Sequence, residues 1–190
     1  MREYNSRILN SDEKDVKKFD RKTIYISCFI FFMFLFLSII FQLKILIFIT
    51  LVVLVGVTNY HLNLTDIRMD IGLEVFFSLL LTYGFSLTYG FLLILFAEFI
   101  PDIYTARLDK DTVLSIILTV LINVILSKMK TYPFVGLGLI LVTGKFILSL
   151  IINLALGFES EEIVFETGLN FVSNIFFFMI LGDLLINFLN

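Results

Sequence analysis

The chain has 190 residues, 59% of them hydrophobic, with a formal net charge of −3 and a mean hydropathy of +1.00. So apolar a composition exceeds what a soluble domain of this size buries, and the small net charge argues against a nucleic-acid partner, which needs a concentrated basic face. With one cysteine and one histidine in the chain, an internal disulfide and a cysteine or histidine metal cluster are excluded, and no cofactor is implied.

Residues 1–22 are polar and hold seven of the fourteen Lys and Arg. A basic stretch beside an apolar segment reads as a cytoplasmic tail. Residues 23–190 form the transmembrane domain, and its first segment is Thr23–Phe41. No small-residue cleavage pattern closes that segment, so it is expected to remain as a membrane helix rather than be removed as a signal peptide. A short break, Gln42-Leu43-Lys44, leads to a second segment, Ile45–Tyr60, and then to a polar loop over residues 61–70 that contains His61.

Ile71–Ile100 carries only two ionisable side chains, Glu74 and Glu98, and repeats Leu-Thr-Tyr-Gly-Phe at 81–85 and 87–91. As one helix it would be roughly 45 Å long at 1.5 Å per residue, well beyond a hydrocarbon core of about 30 Å. A break near Gly84–Thr88 is therefore expected, the glycines serving for a turn or a close helix contact. Pro101 is expected to stop the stretch. A loop over 101–111 follows, with Asp111 as N-cap of a helix over Thr112–Ser127. Lys128 to Tyr132 form a basic loop, and Pro133 opens a helix to about Leu156. An acidic loop at 157–162 precedes a last helix, Ile163–Leu189.

The expected architecture is an all-α, polytopic helical bundle in the cell membrane, with seven segments if the break exists and six if it does not. The N-terminus is cytoplasmic. With the break, Arg107 and Lys110 face inward and Lys128 and Lys130 outward; without it the pairs exchange sides.

Ionisable groups inside membrane segments are costly, which makes each a functional candidate. Lys145, halfway along its helix, is the foremost. It should find a carboxylate or a wet cavity, with Glu98, Glu74 and Asp183 as the available partners. Either it contacts a substrate anion, or it forms a structural ion pair or snorkels along the helix. Asn153 lies eight residues on, near the same face, and Asn170 and Asn174 share a face of the last helix. These amides, with Asn123, are either interhelical glue or the wall of a polar pocket. Gly136 and Gly138 should permit close packing. Enzyme signatures are missing: there is no histidine in a membrane segment, no HExxH and no phosphate loop.

From Asp70 onward, the acidic opening Asp70-Ile-Gly-Leu-Glu74, the Tyr83-Gly84 turn, Gly90, the acidic end Glu98 and Asp102, and Asn170 and Asn174 before Leu181-Gly182-Asp183 resemble the membrane-embedded S components of energy-coupling-factor transporters. They are also similar to the related rod-shape-determining protein MreD. The first resemblance implies small-molecule uptake with a coupling subunit and ATPases, and a substrate pocket of Lys145, Asn153, Asn170, Asn174 and Glu98. The second implies a scaffold working through protein partners in the envelope. Two features depart from S components. The chain lacks their Ala-x-x-x-Ala pattern, and an extra N-terminal helix would place the 61–70 loop inside rather than outside.

Overall fold

The computed structural model describes residues 33, 44–64, 71–156 and 160–189, except for the side chains of 160–164 and 166. The expected tail, the first segment apart from Met33, and residues 65–70 lie outside the described residues. Six helices follow in order: α1, Lys44–Asn63; α2, Leu73–Gly84; α3, Leu87–Tyr104; α4, Lys110–Lys128; α5, Phe134–Ala155; and α6, over 160–189. There is no strand among the described residues. Five of these helices are long and apolar enough to cross a membrane, and α2 is a shorter apolar one. The bundle is that of a multi-pass membrane protein.

The break in the long apolar stretch falls at Phe85–Ser86, inside the expected window. Ser86 is extended, with φ −161° and ψ 163°. The amides of Phe85 and Ser86 both close on the Leu81 carbonyl, at 2.9 and 3.1 Å, and Tyr89 restarts the helix on the Ser86 carbonyl at 3.1 Å. Neither glycine of the repeat makes this turn, since Gly72 is the only described glycine at positive φ. Gly84 packs instead against Leu189, and Gly90 against Thr82, Asn123 and the Ser78 carbonyl.

Helix α2 is short because protein surrounds it. It touches all five other helices, and its residues from Glu74 to Thr82 are buried without interruption. An enclosed helix has no lipid thickness to match, and an all-round apolar sequence is what such a position requires. Phe76 anchors its centre, with ring centroids 5.0 Å from Phe178 and 5.7 Å from Phe177. Phe178 reaches that position because α5 offers Gly138, where a Cβ would run into the ring. Gly136 has nothing within 4 Å of a Cβ, so only one of the two glycines expected to aid packing does so.

Ser78, Thr82 and Asn123 tie α2 to α4. The Thr82 hydroxyl donates to Asn123 Oδ1 at 2.6 Å, and Asn123 Nδ2 donates to Ser78 Oγ at 3.0 Å and to the Thr119 carbonyl at 2.9 Å. All three side chains are fully buried. Interhelical bonds in membrane proteins average about 0.6 kcal/mol and reach about 1.7, and the orphaned Thr82 hydroxyl adds its own cost. Asn123→Ala is therefore expected to destabilise by about 2 kcal/mol, read as a lowered unfolding midpoint in detergent. Asn187→Ala, at an exposed site on α6, should stay within about 0.5 kcal/mol.

Several helix boundaries differ from the sequence reading. Pro101 does not end α3. A π-helical turn over Leu95–Phe99 precedes it, and the helix runs on to Tyr104. Proline supplies no N–H, and the Ala97 carbonyl one turn back accepts Asn59 Nδ2 of α1 at 2.9 Å. The N-cap of α4 is Asp109 rather than Asp111: its carboxylate accepts the Thr112 amide at 2.9 Å. That leaves Asp111 in the first turn, where its charge still suits the helix N-terminus. His61, expected in a loop, lies in the last turn of α1.

At the opposite end of α2, the loop between α4 and α5 forms a clasp. Lys130 Nζ donates to the Tyr83 carbonyl at 3.0 Å, and the Tyr83 hydroxyl donates to the Tyr132 carbonyl at 3.0 Å. Burial holds the Lys130 ammonium below the usual lysine range, since desolvation disfavours its charged form. The unfolded chain then binds more protons in the window below the ordinary value near 10.4, so Lys130 costs stability at neutral pH and that cost disappears as pH rises through the window. The unfolding midpoint of the wild type relative to Lys130→Met should therefore climb as pH rises toward the ordinary lysine value near 10.4. A flat difference across that range would show the ammonium to be fully solvated.

Candidate functional site: a polar cavity at one end of the bundle

The ends of α1, α3 and α5 and the starts of α2, α4 and α6 meet around a cavity of about 110 Å³. At about 30 Å³ per water it has the volume of roughly four waters.

Helix α5 supplies Lys145, Ser149 and Asn153, spaced four apart and so on one face. All three are buried and on the cavity wall. Lys145 is 6% exposed, and its ammonium donates to Ser115 Oγ of α4 at 3.0 Å. The expected inward orientation is found, and the hydrogen-bonded partner is a hydroxyl. Of the three carboxylates considered as partners, Glu74 and Glu98 share the cavity with Lys145, while Asp183 is exposed on α6.

Glu98 lies in the π-helical turn of α3. That turn puts Leu95 and Phe96 on the exposed side and buries Ala97 and Glu98. Two asparagines of α1 hold this acidic end. Asn59 Nδ2 donates to the Ala97 carbonyl and approaches Glu74 Oε2 at 3.5 Å. Asn63 Nδ2 donates to Asp102 Oδ1 at 2.7 Å and approaches Thr105 Oγ1 at 3.2 Å. After α3 the chain reverses through Ala106, at φ 55°, a left-handed conformation that a non-glycine residue adopts at some cost. The Arg107 amide then closes on the Asp102 carbonyl at 2.9 Å, and Arg107 lies on the cavity wall.

On α6, Asn170 lines the cavity and Asn174 does not. Asn174 Nδ2 donates to the Asn170 carbonyl at 2.9 Å and to Asn170 Oδ1 at 3.0 Å, and both amides press on Gly72 at the start of α2. The left-handed φ of 68° and the asparagines over it both require glycine there. Of the five residues singled out in the sequence, the structure gathers Lys145, Asn153, Asn170 and Glu98 at one cavity and sets Asn174 behind a backbone contact.

Sequence reasoning missed Asn59, Asn63, Arg107, Asp109, Asp111 and Ser115 as wall residues. Asn59 and Asn63, four apart like Asn170 and Asn174, carried the same signal. Arg107, Asp109 and Asp111 sat in a segment read as an ordinary loop, and Ser115 in the helix after it gave no signal. Among the described residues no three His, Cys, Asp or Glu side chains group as a metal site.

Fold and site together define a class: a multi-pass helical membrane protein with a charged, polar cavity at one end. No family model, curated protein or solved structure matches the chain.

Proposed function

We propose that the protein binds a small polar solute in this cavity and serves as the solute-binding subunit of a membrane transport system, as its resemblance to S components implies. The observation that carries this reading is the convergence of Lys145, Glu98, Asn153 and Asn170 on one cavity wall. A buried charge is costly in a membrane protein and marks a solute or ion path by default. A scaffold acting only through protein partners needs no such interior.

If the tail is cytoplasmic and residues 23–41 cross once, the cavity end lies on the cytoplasmic side, with Arg107 and Lys110, and the Lys128–Tyr132 loop lies outside. In a Cys28→Ser background, a cysteine at exposed Thr131 should label with a membrane-impermeant thiol reagent in intact cells, and one at exposed Ala106 should not. The reverse pattern would invert the topology.

Co-purification from native membranes tests the function. Recovery of an ATPase with a second membrane subunit supports the transport reading. Recovery of cytoskeletal or envelope-synthesis proteins without an ATPase replaces it with the MreD-like scaffold.

A further inference from the structure

Asn153 differs from the other asparagines that join the helices. Asn123 accepts from Thr82 and donates to Ser78 and to the Thr119 carbonyl. Asn59 donates to the Ala97 carbonyl, Asn63 to Asp102, and Asn174 to Asn170. Asn153 is 4% exposed, yet its Oδ1 accepts no hydrogen bond, and its Nδ2 donates to none of the described residues. It also lies on the cavity wall. A buried carboxamide idle on both edges needs an explanation, and an occupant of the cavity provides one.

Ser149 stands one turn before Asn153 on the same face of α5, where Cβ atoms are about 5–6 Å apart. It too is buried and lines the cavity. The hydroxyls of Thr119 and Thr143 bond back to the carbonyl four residues earlier. The Ser149 hydroxyl makes no such bond among the described residues and is free to rotate toward a ligand. Within one helical turn, the wall therefore presents a donor and an acceptor side by side on Asn153, and a hydroxyl beside them.

The complement of a carboxamide is another carboxamide. A primary amide carries its N–H and C=O on adjacent atoms, so it can donate to Asn153 Oδ1 and accept from Nδ2 in one planar pair. Its carbonyl keeps a second lone pair for the Ser149 hydroxyl. Rotating the Asn153 amide by half a turn exchanges the two bonds and preserves the match. A carboxylate has acceptors only and would set an oxygen against Oδ1, while an ammonium has donors only and would leave Nδ2 idle. The cavity of about 110 Å³ suits a ligand of a few heavy atoms. Phe146 of α5 and Phe171 of α6, stacked on the same wall with centroids 4.4 Å apart, offer apolar contact to a short carbon group.

We infer that the solute of this cavity is a small neutral primary amide, held by a two-point pair with Asn153 and by Ser149. This rests on the solute-binding reading above.

The test uses the full chain in detergent at neutral pH and reads its unfolding midpoint with acetamide, N,N-dimethylacetamide and sodium acetate at matched ionic strength. A ligand that binds only the folded state raises the midpoint. Acetamide should do so by several degrees in a saturable way, and the other two should not. Asn153→Leu should abolish the response. Should that variant fail to fold, Asn153→Asp keeps the shape and replaces the N–H edge by a second acceptor. It should move the response to about tenfold higher acetamide concentration, the equivalent of one lost hydrogen bond. An unchanged acetamide response in either variant would overturn the assignment to Asn153. An equal response to N,N-dimethylacetamide, which has the carbonyl but no N–H, would overturn the two-point pair. A response to acetate alone would overturn the amide while leaving the solute-binding reading intact. No response to any of the three would also overturn the amide, and the solute-binding reading would then be decided by the co-purification.

Discussion

Gly90→Val should leave little folded protein. A Cβ at residue 90 would collide with Thr82 Oγ1 and lie 2.9 Å from both Asn123 Oδ1 and the Ser78 carbonyl. None of these can yield cheaply. Thr82 and Asn123 are locked to each other by a 2.6 Å hydrogen bond, and the Ser78 carbonyl is backbone inside α2. Overpacking alone costs about 1–3 kcal/mol, and forcing α2 and α3 apart also breaks the buried network. The combined effect is expected to exceed about 3 kcal/mol. It should appear as loss of the monodisperse peak in size-exclusion chromatography and a fall in the unfolding midpoint. Gly136→Ala is the matched control. It lies in α5 with nothing within 4 Å of the new Cβ, and alanine is the better helix former by about 1 kcal/mol. A wild-type-like Gly90→Val protein would mean that α2 and α3 are not held at this distance.

The second large effect is expected at Lys145, where the order of stability should be wild type, then Lys145→Met, then Lys145→Glu. Methionine removes one hydrogen bond to a neutral hydroxyl and keeps most of the side-chain volume. It also removes one of the two cations, Lys145 and Arg107, that line the cavity among the described residues. Glutamate adds a carboxylate in the same place. An uncompensated buried charge costs about 3–5 kcal/mol, so Lys145→Glu should lower the unfolding midpoint by far more than Lys145→Met. If both variants match the wild type, Lys145 reaches water and the cavity carries no electrostatic constraint. If methionine is as damaging as glutamate, the packing of the lysine stem matters more than its charge.

These two sites differ in how well the sequence announced them. Lys145 was legible because a single charge in the middle of a long apolar run has to face inward or reach water, whatever the neighbouring helices do. Gly90 stood out only as half of a repeat, and its chemistry came from Thr82, Ser78 and Asn123, two of them on its neighbour α2 and one on α4. The break between α2 and α3 was legible by length, since roughly thirty apolar residues exceed one membrane crossing. Its mechanism was not: the chain turns at Phe85–Ser86, and the glycines on either side serve as contact surfaces.

Hydrophobicity and length thus determined that this chain is a helical membrane bundle, where its helices fall to within a few residues, and that Lys145, Glu98 and the asparagines had to be turned away from lipid. These follow from the high cost of exposing polar groups to hydrocarbon, a property of each segment taken alone. Tertiary structure decided which polar groups meet. It placed Asn170 on the cavity wall and Asn174 against Gly72. It carried α3 through Pro101 by way of a π-helical turn and an asparagine from α1, and it brought the acidic residues of α2, α3 and α4 to the lysine of α5. Such meetings depend on the rotation and register of one helix against another. Those are fixed by close contacts such as Gly138 with Phe178, which no local pattern in the sequence encodes.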